Sequence, residues 1–305
     1  MAFTSLTDAR QLLSDMVGDL LTGACQQGGA SGATLIDTAL KDESGNQDDY
    51  FNNQWVILTS GAAALLGNER RVLDYAAAGT LTPYTAFGAP TQIPAATTYE
   101  IHKVWKPTVK RRALNWAIRE AYPEIARNII DAQITATDST WSYKMGDYGS
   151  GATVSYGAAT TLTDTGKAWI TNQFAGYRVQ SGGNIGTVAS NTATVVTIGA
   201  NWSPATPSAA DAYSIIHPIK DLYVAEYEWN TGAATYPYRR IPFEPSAHEG
   251  TLTLQLSPGW IVPSGRTLRL RGRGYLSDFT STETSSIEVE EEELDGILFL
   301  AAHFL

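Results

Sequence analysis

Cys25 is the only cysteine among 305 residues. One thiol cannot close an internal disulfide, and no Cys/His spacing of the kind that holds zinc is present. Histidine is scarce as well: His102, His217, His248 and His303 complete the set. Charged residues make up only 17% of the chain and apolar ones 43%, a balance that folds rather than staying disordered. No run of ~18 apolar residues occurs, so no membrane-spanning helix is expected. Asp8, Arg10, Asp15 and Asp19 interrupt residues 5–22, which therefore lack the continuous apolar region of a secretory leader. A net charge of −10 argues against nucleic-acid binding over the whole surface.

Enzyme signatures are also missing. No G-x-S-x-G elbow is present. Gly166-Lys167 resembles the end of a P-loop, but Thr161 stands where the first glycine belongs and Ala168 where Ser or Thr belongs. No catalytic residue, metal site or cofactor is expected. Carboxylates such as Asp48 with Asp49, or Asp147 with Glu226, keep a hydrolase open as a minor alternative.

What the chain does have is eight Trp and fifteen Tyr, residues that fill β cores and anchor interfaces. Apolar positions from Leu6 to Leu21 recur at helical spacing, with Ser5 and Asp8 as a capping pair and Gly23 as a stop. GACQQGGASG then reads as a flexible joint. Residues 107–122 form a second helix, opened by Pro107 and ended or kinked by Pro123, and EIARNIIDAQI is read as its continuation. Glu290 to Glu293 mark the start of a third.

Between the helices lie short segments rich in β-branched and aromatic residues, and these repeat. ATLIDTALKD matches TTLTDTGKAW, DYFNNQWVILTSG matches TNQFAGYRVQSG, GNERRVLDY matches GNIGTVASN, GTLTPYTAFGAP matches ATVVTIGANWSPATP, and ATTYEIH matches ADAYSIIH. The expected fold is α+β and β-rich: two repeated small barrel or sandwich modules, a third β region, and N-terminal, central and C-terminal helices. The expected divisions are 1–28 (helix), 29–104 (module one), 105–135 (central helix), 136–219 (linker and module two), 220–284 (third β region) and 285–305 (acidic-start helix). His102 and His217 fall at matching module ends, which reads as a shared structural position. His248 sits in a polar segment, PSAHEG, read as a surface loop.

The helices that the modules do not share are the natural places for assembly contacts. Candidates are Leu13, Val17, Leu20, Lys110, Arg111, Arg112, Trp116, Arg119, Glu290, Glu291, Leu298 and Phe304. Arg269, Arg271 and Arg273 alternate along RTLRLRGRG and should share one strand face, opposite Leu268 and Leu270.

Segments like TLTDTGKAW, QFAGYRVQSG and GTVASNTATVVTI, a helix like RRALNWAIREAYPEI, a strand like LRLRGRGYLS and a closing IEVEEEELDGILFLAAHF together resemble proteins of tailed-bacteriophage structural-gene clusters. The resemblance is to virion structural proteins, above all head-to-tail adaptor (neck, connector) proteins. It implies a non-enzymatic subunit forming a homo-oligomeric ring on the portal. Its partners would be itself, the portal and other neck or tail proteins, with genomic DNA passing unbound and no membrane. It would be made in the host cytoplasm and reside at the virion head-tail junction. The alternative is a capsid or tail decoration or fibre-type protein whose modules bind glycans, with Trp55, Trp169 and Trp202 as candidate platforms.

Overall fold

The computed structural model describes residues 2–61, 64–88, 92–137, 140–229, 238–248, 251–257, 259–280 and 282–305. The chain is a strand-rich α+β protein with several sheets and, among the described residues, four helices. It forms two compact units, Met1–Ala126 with Leu276–Leu305, and Arg127–Tyr275.

The first unit runs β1 (Ala2–Ser5), α1 (Leu6–Met16), β2 (Leu21–Ala24), β3 (Gln27–Gly28), β4 (Leu35–Ile36), α2 (Leu40–Ser44), β5 (Trp55–Leu58), β6 (Glu69–Ala76), β7 (Thr80–Pro83), β8 (Thr98–His102) and α3 (Pro107–Glu120). The second unit holds β9 (Arg127–Thr135), β10 (Ser142–Lys144), β11 (Gly146–Gly149), β12 (Val154–Ala158), β13 (Thr161–Asp164), β14 (Arg178–Ser181), β15 (Asn184–Asn191), β16 (Val195–Ile198), β17 (Tyr213–Ile216), β18 (Asp221–Glu228), β19 (Tyr238–Ile241), β20 (Phe243–His248), β21 (Thr251–Leu256) and β22 (Thr267–Gly274). The chain then returns to the first unit with β23 (Ser286–Val289) and α4 (Glu291–His303).

Ser5 caps α1, its hydroxyl accepting from the Asp8 N–H at 3.1 Å. The helix ends at Met16, well short of the expected residue 22. Gly18 takes a left-handed φ of 67°, and the Asp19 N–H closes back onto the Ser14 carbonyl at 2.8 Å. That turn frees Leu21–Ala24 to pair with β8, so the stretch expected to be a flexible joint supplies β2 and β3 instead. Pro107 opens α3, and Glu290 with Glu293 forms a capping box on α4.

The three long helices share one core, in which Leu6, Ala9 and Leu13 of α1 meet Ala113, Leu114, Ala117 and Ile118 of α3 and Leu294, Ile297, Leu298 and Ala301 of α4. Leu114 is fully buried there, so Leu114→Ala should cost about 2–5 kcal/mol, read from urea unfolding. β1 pairs antiparallel with β23 beside this layer.

EIARNIIDAQI does not continue α3. Ile129, Ile130 and Ile134 belong to β9, a nine-residue strand paired with β22, because β-branched side chains favour an extended backbone once a partner strand is available. β22 itself alternates as expected, with Leu268 and Leu270 buried and Arg269, Arg271 and Arg273 on the other face. β9 joins β19, β18 and β22 in a four-stranded sheet, while β10, β21 and β20 form a three-stranded one. PSAHEG is not simply a loop, since its first four residues run through β20. The His248 side chain and residues 249–250 lie outside the described part.

Each unit also contains a seven-stranded antiparallel sheet. The orders are β2-β8-β5-β6-β7-β4-β3 in the first and β11-β17-β14-β15-β16-β13-β12 in the second. The fourth strand carries a register shift in both, between Val72 and Asp74 in β6 and between Val188 and Ser190 in β15.

Candidate functional site: a helix layer on a buried charge network

Arg10 lies on the inner face of α1 and is only 1% exposed. Its Nε and Nη2 donate to the two oxygens of Glu100 on β8, at 2.7 and 3.0 Å, and its Nη1 donates to Glu283 at 2.7 Å. Gln11 adds a hydrogen bond to Glu100 at 2.9 Å, and Thr7 one to Glu283 at 2.8 Å. His102 Nε2 reaches Glu100 Oε2 at 3.0 Å, and His102 Nδ1 meets Lys110 Nζ of α3 at 2.9 Å. Lys110 also donates to Ser14 Oγ at 2.7 Å and pairs with Asp19 at 2.7 Å. Asp19 in turn accepts the N–H groups of Val104 and Trp105 at 2.7 and 3.0 Å.

Electrostatics fixes the proton positions. An ammonium has no acceptor, so Lys110 donates to Nδ1 and the neutral imidazole keeps its proton on Nε2 for Glu100. Burial alone would raise the Glu100 carboxyl, but hydrogen bonds from His102 and Arg10, with the Arg10 charge, hold it at about 2. Burial depresses His102, Lys110 and Arg10 reinforce this, and Glu100 opposes it, leaving the ring below its ordinary value. Asp19 is held low despite burial by Lys110 and its two backbone donors.

The two module-end histidines prove different. His102 pairs in register with Trp55, and the residue holding the corresponding place opposite Arg178 is Ile216, one position before His217. His217 sits instead between Asp131, at 2.8 Å from its Nε2, and the Ile219 N–H, at 2.9 Å from its Nδ1. What does repeat is a buried contact. Tyr99 donates to Asp37 at 2.7 Å and Tyr213 to Asp164 at 2.8 Å, and each aspartate also takes the N–H two residues on. Burial and the adjacent carboxylate push both phenols far up. A Cβ added to Gly23 would lie 2.3 Å from the Tyr99 hydroxyl, and one on Gly149 would lie 2.6 Å from that of Tyr213.

Among the expected contact residues, Leu13, Leu298 and Lys110 are interior: the two leucines fill the helix core and Lys110 is spent on Asp19, Ser14 and His102. Lys110 is drawn inward by its partners on α1 and β8. Val17, Leu20 and Arg111 are half-buried. Arg112 is exposed with its guanidinium over Trp116, which is 45% exposed and edge-on to half-buried Phe304. Arg119 pairs with Asp278. Glu290 is engaged in the α4 cap, and Glu291 is exposed. Arg269 and Arg271 both reach Glu226, at 2.6 and 3.2 Å, while Arg273 is exposed. The outer faces of the helices also carry Leu12, Met16 and Phe299, all exposed. Trp169 and Trp202 are buried, and Trp55 is half-buried beneath Lys106, so none offers an open platform.

Comparison with protein-family models, with curated proteins and with solved structures finds no match. Among the described residues no cluster of His, Cys, Asp or Glu could hold a metal ion, and no helix is long and apolar enough to cross a membrane.

Proposed function

We propose that this chain is a non-enzymatic virion structural protein, a head-to-tail adaptor that assembles as a ring on the portal of a tailed bacteriophage. The observation carrying the assembly reading is the outer face of the helix layer. With its core already filled, it still exposes Leu12, Met16, Trp116 and Phe299, at 45%, 40%, 45% and 67%. Large apolar side chains spread over three helices are what a neighbouring subunit or a portal surface would cover. The phage assignment itself rests on the sequence resemblance. An acidic chain lining a DNA passage would neutralise few phosphates and let DNA slide.

Native mass spectrometry and electron microscopy of particles test this. A closed ring, weakened when Trp116 and Phe299 are changed to serine with unfolding midpoints unchanged, is the expected result. A monomer with no affinity for portal particles would sink the reading.

We also read the two seven-stranded sheets as one module present twice, each rolled toward a small barrel. The matched strand orders, the bulge at equivalent positions and the repeated Gly-Asp-Tyr contact support this. So does connectivity: the edge strands β2 and β3 are separated only by Cys25 and Gln26. Seven flat strands would place those edges almost 30 Å apart at ~4.8 Å per strand, so the sheet has to curl.

One observation favours the alternative, a decoration or fibre-type protein. The second unit has a cleft of about 480 Å³ bordered by Thr137, Ser142, Lys144, Lys167, Trp169 and Gln173, whose hydroxyl, ammonium and amide groups beside an indole suit a sugar. Binding on a glycan array, lost in Gln173→Ala, together with hundreds of copies per particle, would favour it. A dozen copies and a blank array would favour the neck.

A further inference from the structure

We propose that His102 is a pH-operated latch that fastens α1 and α3 to β8. The latch is a property of the first unit alone and does not depend on the ring.

The groups facing His102 come from every element around it. Glu100 lies on β8 itself, and Trp55 on β5 is its register partner. Lys110 comes from α3, and Arg10, Gln11 and Ser14 come from α1. Asp19 follows the Gly18 turn, and Glu283 closes the far side of Arg10. With a neutral ring the cluster holds three carboxylates against two cations. The only ring atom that can accept it is Nδ1, and that atom already receives a bond from Lys110 at 2.9 Å. Two N–H donors cannot share that line, and two cations at that separation repel.

Protonation therefore breaks the Lys110–His102 contact. Lys110 keeps Asp19 and Ser14, while the imidazolium strengthens its hold on Glu100 Oε2, the oxygen it shares with Arg10 Nε. The link from α3 to β8 is lost and the link from α1 is loosened. The depression of His102 by burial and by Lys110 has the matching sign. Stability conferred by the neutral ring is complete above the unfolded value near 6.5 and is lost as pH falls through the window below it. Glu100 and Asp19 are both held below their ordinary values, so the two carboxylates that anchor the latch stay ionised in mild acid.

The test is amide hydrogen exchange on the full chain from about pH 7.5 to about pH 5, corrected for intrinsic rates, alongside NMR titration of the imidazoles. Exchange in α1 and in the first turns of α3 should rise severalfold, with the midpoint of the His102 ring, while the α4 core stays protected. His102→Gln should abolish the rise, since the Gln carbonyl can accept from Lys110 and its amide can donate to Glu100 without titrating. A His102 ring that titrates with no change in exchange would overturn the latch, as would a rise that persists in H102Q. Should H102Q fail to fold, the wild-type comparison decides: one shared midpoint supports the latch and separate midpoints overturn it.

Discussion

Arg10→Met is expected to destabilise the first unit by about 3–5 kcal/mol, because it leaves Glu100 and Glu283 buried without their shared cation. Methionine fills much of the same volume, so the loss is electrostatic rather than a cavity. Chemical denaturation at neutral pH measures it. The pH dependence supplies an internal control. In the wild type, Glu100 is held at about 2 against an ordinary value of 4.5, so its contribution is present above pH ~4.5 and disappears as pH falls toward the folded value. Without Arg10, its share of that depression goes while the His102 hydrogen bond remains, and the gap between variant and wild type should narrow in acid. A gap that stays constant from neutral pH to pH ~3 would show that Arg10 acts through packing instead.

The second large effect comes as a matched pair. Gly23→Ala and Gly149→Ala each drive a methyl into a tyrosine-aspartate hydrogen bond, with contacts from 2.3 to 2.8 Å to the hydroxyl and carboxylate oxygens. Overpacking costs about 1–3 kcal/mol and leaving a buried polar group unpaired a similar amount, so each variant should lose about 2–6 kcal/mol. Because the substitutions fall in different compact units, hydrogen exchange in β2 and β8, and separately in β11 and β17, reads each loss locally. Near-equal losses are expected if the two sheets are one design used twice. A cost in one unit and none in the other would count against duplication.

Much of this was written openly in the chain. Ser5, Pro107 and the Glu290–Glu293 pair act through neighbours three or four residues away, so local pattern places the helix starts. The alternation of Arg269, Leu270 and Arg271 is equally local. What failed was decided at long range. EIARNIIDAQI has apolar spacing that suits a helix, and only its pairing with residues 267–274 makes it a strand. Gly18 stops α1 because Asp19 is needed by Val104, Trp105 and Lys110, more than eighty residues away. The charge network left one usable sign: Arg10 interrupts the apolar stripe formed by Leu6, Ala9 and Leu13, and a charge in that position demands partners. Asp37/Asp164 and Tyr99/Tyr213 fall within the matched blocks, but only the folded chain brings each pair into contact.

The return of the chain to its first unit sets an order of events during synthesis. α1 and α3 leave the ribosome early, but their third helix and the strand that pairs with β1 lie beyond the entire Arg127–Tyr275 unit. At ~5–20 residues per second, the nascent helices wait about ten to thirty seconds with Leu114 and Ile118 uncovered and Arg10 lacking Glu283. Truncated chains would remain in that open state. The layer proposed to meet other subunits is thus completed only after the whole Arg127–Tyr275 unit has been made, so copies that stop short of α4 lack the surface needed to join a ring.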